Sequence, residues 1–159
     1  MLRSAHFRSA TQDDIQAVCD LYLTSRKRFL PYAPLAHADA AVCGWMAETL
    51  FPHAQLSVAV IHGEIVGMMA LTRTPTAGWI DQLYLHPHVV GQGIGSQFVA
   101  QAKVALGSPI RLYTFQANAG ARQFYERHGF RAIVFGDGSQ NEENCPDVLY
   151  EWQDAEVIL

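Results

Sequence analysis

Leu83-Tyr84-Leu85-His86-Pro87-His88-Val89-Val90-Gly91-Gln92-Gly93-Ile94-Gly95-Ser96 is the stretch on which the fold turns. Leu83 to Leu85 end a β-rich run that begins near Trp79. Pro87 stops that run, and the glycines lead into a helix predicted from about Gly93 to Ala105, with Phe98, Val99, Ala102 and Leu106 on its inner face. A strand, a glycine-bearing turn and a helix start in that order aim backbone N–H groups and the positive helix end at one point, which suits a cluster of anionic oxygens. Without a Cβ, glycine lets such a group come close. The spacing GxGxG departs from the GxGxxG of dinucleotide sites, and Tyr113-Thr114-Phe115-Gln116 stands where an acid would be expected about 20 residues on. Gly95-Ser96-Gln97 lacks the Gly-Lys-Ser/Thr of a P-loop, so ATP and GTP are disfavoured.

Upstream, His6 to Ala10 reads as a strand, and Thr11 with Asp13 and Asp14 marks a helix start. Ile15, Val18, Leu21 and Tyr22 carry that helix to about Lys27 before Pro31 and Pro34 break it. Asp39 can cap a second helix bearing Val42, Trp45, Met46 and Leu50. Gln55 to Ile61 and Glu64 to Thr72 are strands joined by a hairpin at His62-Gly63. Downstream come a strand from Ile110 to Phe115, a helix from Ala119 to His128, and strands from Phe130 to Phe135 and from Val148 to Trp152. The order β-α-α-β-β-β-α-β-α-β-β predicts a mixed sheet covered by helices. No repeat or linker divides it, so residues 1–159 are expected to form one domain.

Half of the residues are hydrophobic, enough for a core without staples. Eleven Lys and Arg against fifteen Asp and Glu leave no basic footprint for nucleic acid. The N-terminus does not read as a secretion signal, and no apolar run reaches the roughly 20 residues of a membrane span. Cys19, Cys43 and Cys145 are odd in number and include no CxxC, so neither a disulfide framework nor a zinc site is expected. The cytoplasm is the expected location. His86 and His88 have no third ligand nearby and no metal is assigned. Exposed strand edges leave a homodimer open.

Two ordered motifs resemble the GCN5-related N-acetyltransferase (GNAT) family. Val90-Gly91-Gln92-Gly93-Ile94-Gly95 is similar to its Q/R-x-x-G-x-G/A turn, with Val90 departing at the first position. Asn118-Ala119-Gly120-Ala121-Arg122-Gln123-Phe124-Tyr125-Glu126-Arg127-His128-Gly129-Phe130 resembles its N-x-x-A-x-x-F-Y-x-x-x-G-F pattern. The resemblance implies an α/β (mixed α+β) acyl-CoA N-acyltransferase fold, a mostly antiparallel sheet of about seven strands flanked by about four helices. It implies transfer of an acetyl group from acetyl-CoA to an amine of a small molecule or peptide, through a tetrahedral oxyanion. A silent acyl-CoA-binding or regulatory domain of the same fold is the alternative.

By that resemblance acetyl-CoA lies against Leu83, Tyr84 and Leu85, the turn from Val90 through Gly91, Gln92, Gly93, Ile94 and Gly95 to Ser96, and Asn118 and Tyr125. Tyr125 would protonate the departing thiolate. A protonated alkylamine cannot attack, so a base is useful, and Asp81 is the candidate. Strand alternation predicts that Asp81 shares a face with Trp79 and Leu83. Some relatives carry a glutamate where this chain has Tyr113. Arg26, Phe29, Tyr32 and His37, with Trp79 and Tyr113, form the expected acceptor side. The acidic loop Asn141-Glu142-Glu143-Asn144 would favour a cationic acceptor if it faced that side.

Overall fold

The computed structural model describes residues 4–155. Its strands are β1 (His6–Ser9), β2 (Gln55–Ile61), β3 (Glu64–Arg73), β4 (Gly78–Leu85), β5 (Ile110–Phe115), β6 (Arg131–Phe135) and β7 (Asp147–Trp152). They form one sheet in the order β1-β2-β3-β4-β5-β7-β6, antiparallel throughout except between β4 and β5. The helices are α1 (Ile15–Phe29), α2 (Asp39–Trp45), α3 (Ile94–Leu106) and α4 (Ala119–Arg127). A π turn, Met46–Leu50, and a short helical stretch, Phe51–His53, prolong α2. The element order is the one expected from periodicity. Among the described residues no helix is long and apolar enough to cross a membrane.

Alternation along the central strands builds a core on each face of the sheet. Ala59, Met69, Leu71, Ile80, Ile110 and Leu112 meet Phe98, Val99 and Ala102 of α3 and Tyr125 of α4 on one face. Val58, Met68 and Ala70 meet Val18, Leu21 and Tyr22 of α1 and Val42 and Met46 on the other. The two-residue β2–β3 junction closes as expected. His62 and Gly63 both take positive φ, 51° and 79°, which matches the twist of an antiparallel hairpin. At the sheet's end, β6 leaves Ile133, Val134 and Phe135 exposed.

One expectation fails here. Cys19 on α1 and Cys43 on α2 form a disulfide, with Cα atoms 5.5 Å apart, within the ordinary range. Cys145 remains free. Spacing rules could not foresee the bond, because the packing of α1 on α2 is what brings together residues 24 apart in the chain.

The feature that positions the site is the parallel junction. β4 and β5 pair only through Gly78 with Ile110 and Trp79 with Arg111. Beyond that point the strands part, leaving Asp81–Leu85 of β4 and Leu112–Phe115 of β5 on the two arms of a V. The outer neighbours hold the arms: β3 pairs along β4, and β7 pairs along all of β5.

Candidate active site

A β-bulge shapes the β4 arm. Leu71 pairs with Ile80 and Ala70 with Gln82, so Asp81 is the extra residue, with no opposite number on β3. The bulge corrects the expected alternation. Leu83 packs into the α3–α4 core with Ile80, whereas Trp79 and Tyr84 belong to the opposite face. Asp81 shares a side with Trp79 but not with Leu83. Its carboxylate accepts a hydrogen bond from the Thr72 hydroxyl at 2.5 Å, Thr72 being the β3 partner of Trp79. Partial desolvation pushes the Asp81 pKa above its ordinary 3.8, and the Thr72 bond pulls the other way less strongly.

The glycine turn follows β4 as expected. Pro87–Val89 makes a 3₁₀ turn. His86 caps it by accepting the His88 N–H on Nδ1 at 3.2 Å, and the two imidazoles stack. Gly91 and Gly93 have φ of 82° and 87°, left-handed positions that demand glycine, and the space beside both is open. Gly93 is the N-cap of α3, so the first N–H groups of that helix lack intrahelical partners. Gly95 has a different duty. A Cβ there would meet the Phe124 ring at 3.1 Å, so its bareness lets α4 pack on α3. The Ser96 hydroxyl is taken by His128 Nε2 at 3.0 Å, while Val90 and Gln92 are exposed.

Helix α4 begins at Asn118, whose Oδ1 accepts the Ala121 N–H at 3.1 Å. This is an N-cap, and its Nδ2 has no partner among the described residues. Two turns on, Tyr125 is buried among Phe124, Phe130 and Tyr150. Burial, and after it the neighbouring Tyr84 phenol, push its pKa well above the ordinary 10, so it stays a proton donor at neutral pH. Phe124 and His128, four residues apart and so on one side of the helix, face α3.

On the α1 side of the V, Arg26 is only 6% exposed. Its Nη1 donates to the Tyr84 hydroxyl at 3.4 Å. Its Nη2 donates to the Ala33 carbonyl at 3.0 Å and to Glu143 Oε1 at 3.1 Å. The guanidinium lies 5.7 Å from the Phe115 ring centroid and 6.0 Å from that of Tyr22. Its Nε is buried with no partner. Tyr32 meets Phe115 edge-on, and His37 bonds Glu142 at 3.1 Å. Thus residues 26–37 and the β6–β7 loop meet over the end of β5. Trp79 and Tyr113 stack nearer the apex of the V, and the indole Nε1 is also buried without a partner. Phe29, the last residue of α1, stands apart beneath Arg28.

Tyr22, Thr72 and Phe115 were missed by sequence reasoning. Tyr22 is one turn before Arg26 and Phe115 two residues beyond Tyr113, so helix and strand periods could have found both. Thr72 had no such signal.

A sheet split between parallel strands, a left-handed glycine turn at a helix start and an Asn-capped helix ending in a buried tyrosine meet in one place. The model of the acetyltransferase (GNAT) domain matches residues 52–132, which span these features. The chain belongs to the GNAT acetyltransferase family. This GNAT chain is 32% identical over 138 residues to the aminoalkylphosphonate N-acetyltransferase of Salmonella typhimurium, across 80% of this chain and 86% of that one. In fold it is similar to the PaiA N-acetyltransferase of Thermoplasma acidophilum, solved with coenzyme A, with a TM-score of 0.75 at 16% identity over 95% of this chain and 99% of the other. The ribosomal-protein-S18-alanine N-acetyltransferase of Escherichia coli gives 0.72 at 12% identity over 98% and 99%. The chain is therefore an acetyl-CoA-dependent N-acetyltransferase, and its reaction is acetyl transfer to an amine.

Proposed function

We propose that the chain acetylates a small primary amine in the V between β4 and β5, with Tyr125 as acid and Asp81 as base, working as a single catalytic domain. The splay of β4 from β5 beyond Trp79 and Arg111 is the observation that carries this reading, because it frees the N–H groups of Leu83 and Leu85, which alternate with the β3-directed N–H of Tyr84, on an arm that ends at the glycine turn.

The residues fit acetyl-CoA. The open, positive-φ turn at Gly91 and Gly93 and the uncapped N–H groups of α3 suit a pyrophosphate, and the Asn118 amide suits the pantetheine arm. When bound, acetyl-CoA supplies an electrophilic thioester carbonyl and a thiolate leaving group. A backbone N–H of the β4 arm would stabilise the negative charge that develops on the carbonyl oxygen. Asp81 takes the proton that the acceptor's ammonium must lose, directly or through a water, and its raised pKa makes it a better base than an ordinary aspartate. Tyr125 holds the proton that the departing sulfur takes.

A small acceptor is supported by the roof that the Arg26–Glu143 and His37–Glu142 pairs form over the end of β5, and by the small-molecule reaction in the name of the Salmonella relative. The cytoplasm, which holds acetyl-CoA, is the compartment that suits the donor. The test is Tyr125→Phe. Turnover is expected to fall about 100-fold while the calorimetric Kd for acetyl-CoA stays within about two-fold. Wild-type turnover in that variant would remove Tyr125 from the acid's role.

A further inference from the structure

We infer that the acceptor is a short amine bearing an acidic group, a carboxylate or a phosphonate, and that Arg26 is the residue that selects it. This rests on the acetyl-transfer reading of the V. Arg26 is more than nine-tenths buried, yet its Nε–H has no partner and its Nη1 makes only the long 3.4 Å bond to Tyr84. Buried donors are rarely left this way, and an acceptor held by a bound ligand is one way to satisfy them. The spare capacity is that of a donor on a permanent cation, which calls for an anionic oxygen.

The partner that Arg26 does have points the same way. Glu143 arrives from the β6–β7 loop, 117 residues along the chain, and its carboxylate sits on Nη2. The site therefore already accommodates a carboxylate, in a shell where Tyr22 and Phe115 flank the guanidinium and the Ala33 carbonyl holds it from one side. An acceptor's acid group shares Arg26 with Glu143 or displaces it. The acids once expected to draw a cation are spoken for, Glu142 by His37 and Glu143 by Arg26. A diamine would bring a second positive charge to a buried cation and be rejected.

Distance limits the length of the acceptor. Tyr84 touches Arg26 and lies on the β4 arm between Leu83 and Leu85, the residues whose N–H groups the reading assigns to the thioester carbonyl. An acid group at Arg26 thus lies near the reacting centre, so a linker of one to three atoms between acid and amine suits the site.

The experiment follows thiol release from acetyl-CoA with four matched acceptors: β-alanine, 2-aminoethylphosphonate, propylamine and 1,3-diaminopropane. At least one acidic acceptor is expected to exceed both non-acidic ones by about ten-fold or more in kcat/KM, and the two acids distinguish carboxylate from phosphonate. Arg26→Gln should lower kcat/KM for the preferred acid about 100-fold, mainly through KM, with the acetyl-CoA Kd nearly unchanged. Arg26→Lys should restore part of it. Glu143→Gln, which removes the competing carboxylate, should lower the KM for the acid. It also decides the matter if Arg26→Gln does not fold, since an unchanged or higher KM then overturns the inference. Equal or better turnover of propylamine or the diamine also overturns it while leaving acetyl transfer intact. A protein that fails to bind acetyl-CoA would overturn the underlying reading instead.

Discussion

The Thr72 hydroxyl donates a hydrogen bond to the Asp81 carboxylate at 2.5 Å, across a bulge that leaves Asp81 without an opposite residue on β3. The bond favours the charged carboxylate while partial burial disfavours it, and burial is the larger influence. Removing Thr72's hydroxyl must therefore raise the pKa further. In Thr72→Val the acid limb of the kcat/KM profile is expected to move to higher pH, because the base becomes available only above its own pKa. Asp81→Asn should lose about 100-fold in kcat/KM and lose that limb altogether. A limb that stays in place in Thr72→Val would assign the titration to another group.

Asn118 is used at both ends of its amide under this mechanism, Oδ1 in the cap on Ala121 and Nδ2 toward the cofactor. Two substitutions separate the jobs. Asn118→Ala loses the cap and should cost about 1 kcal/mol of stability in denaturant unfolding. Asn118→Asp keeps an oxygen for the cap and adds a favourable charge at the helix start, so its stability should match wild type. Both variants should bind acetyl-CoA more weakly by calorimetry. Wild-type affinity in Asn118→Asp would leave the residue as a cap alone.

How far the sequence was legible follows from the range of each interaction. β2 and β5 have the bounds that alternation predicts, and the α3 and α4 faces follow from helical spacing, since these are local periodicities. The glycine turn and Asn118 were equally readable, because each depends on a few neighbouring residues. The bulge at Asp81 was not, since register is settled between β3 and β4 and no single strand carries it. The Arg26–Glu143 pair was beyond reach for the same reason, although both residues had been singled out separately. Gly95 had been read with the phosphate turn, and only packing reveals its debt to Phe124.

The Cys19–Cys43 bond ties α1 to α2, and the segment between those helices supplies the Ala33 carbonyl that steadies Arg26. A cross-link over a separation of 24 residues restricts the unfolded chain by about 3.5 kcal/mol in the loop-entropy model. Cys43→Ser is therefore expected to lower the denaturant midpoint, and a reducing agent should lower it in wild type but not in the variant. The glycine turn and α4 lie on the opposite face of the sheet from the bond, so acetyl-CoA affinity should hold in both cases. The KM for the acceptor should rise several-fold, because loosening α2 frees the segment on which Arg26 leans. An unchanged acceptor KM beside a lowered midpoint would make the bond a brace for the fold with no influence on the acceptor side.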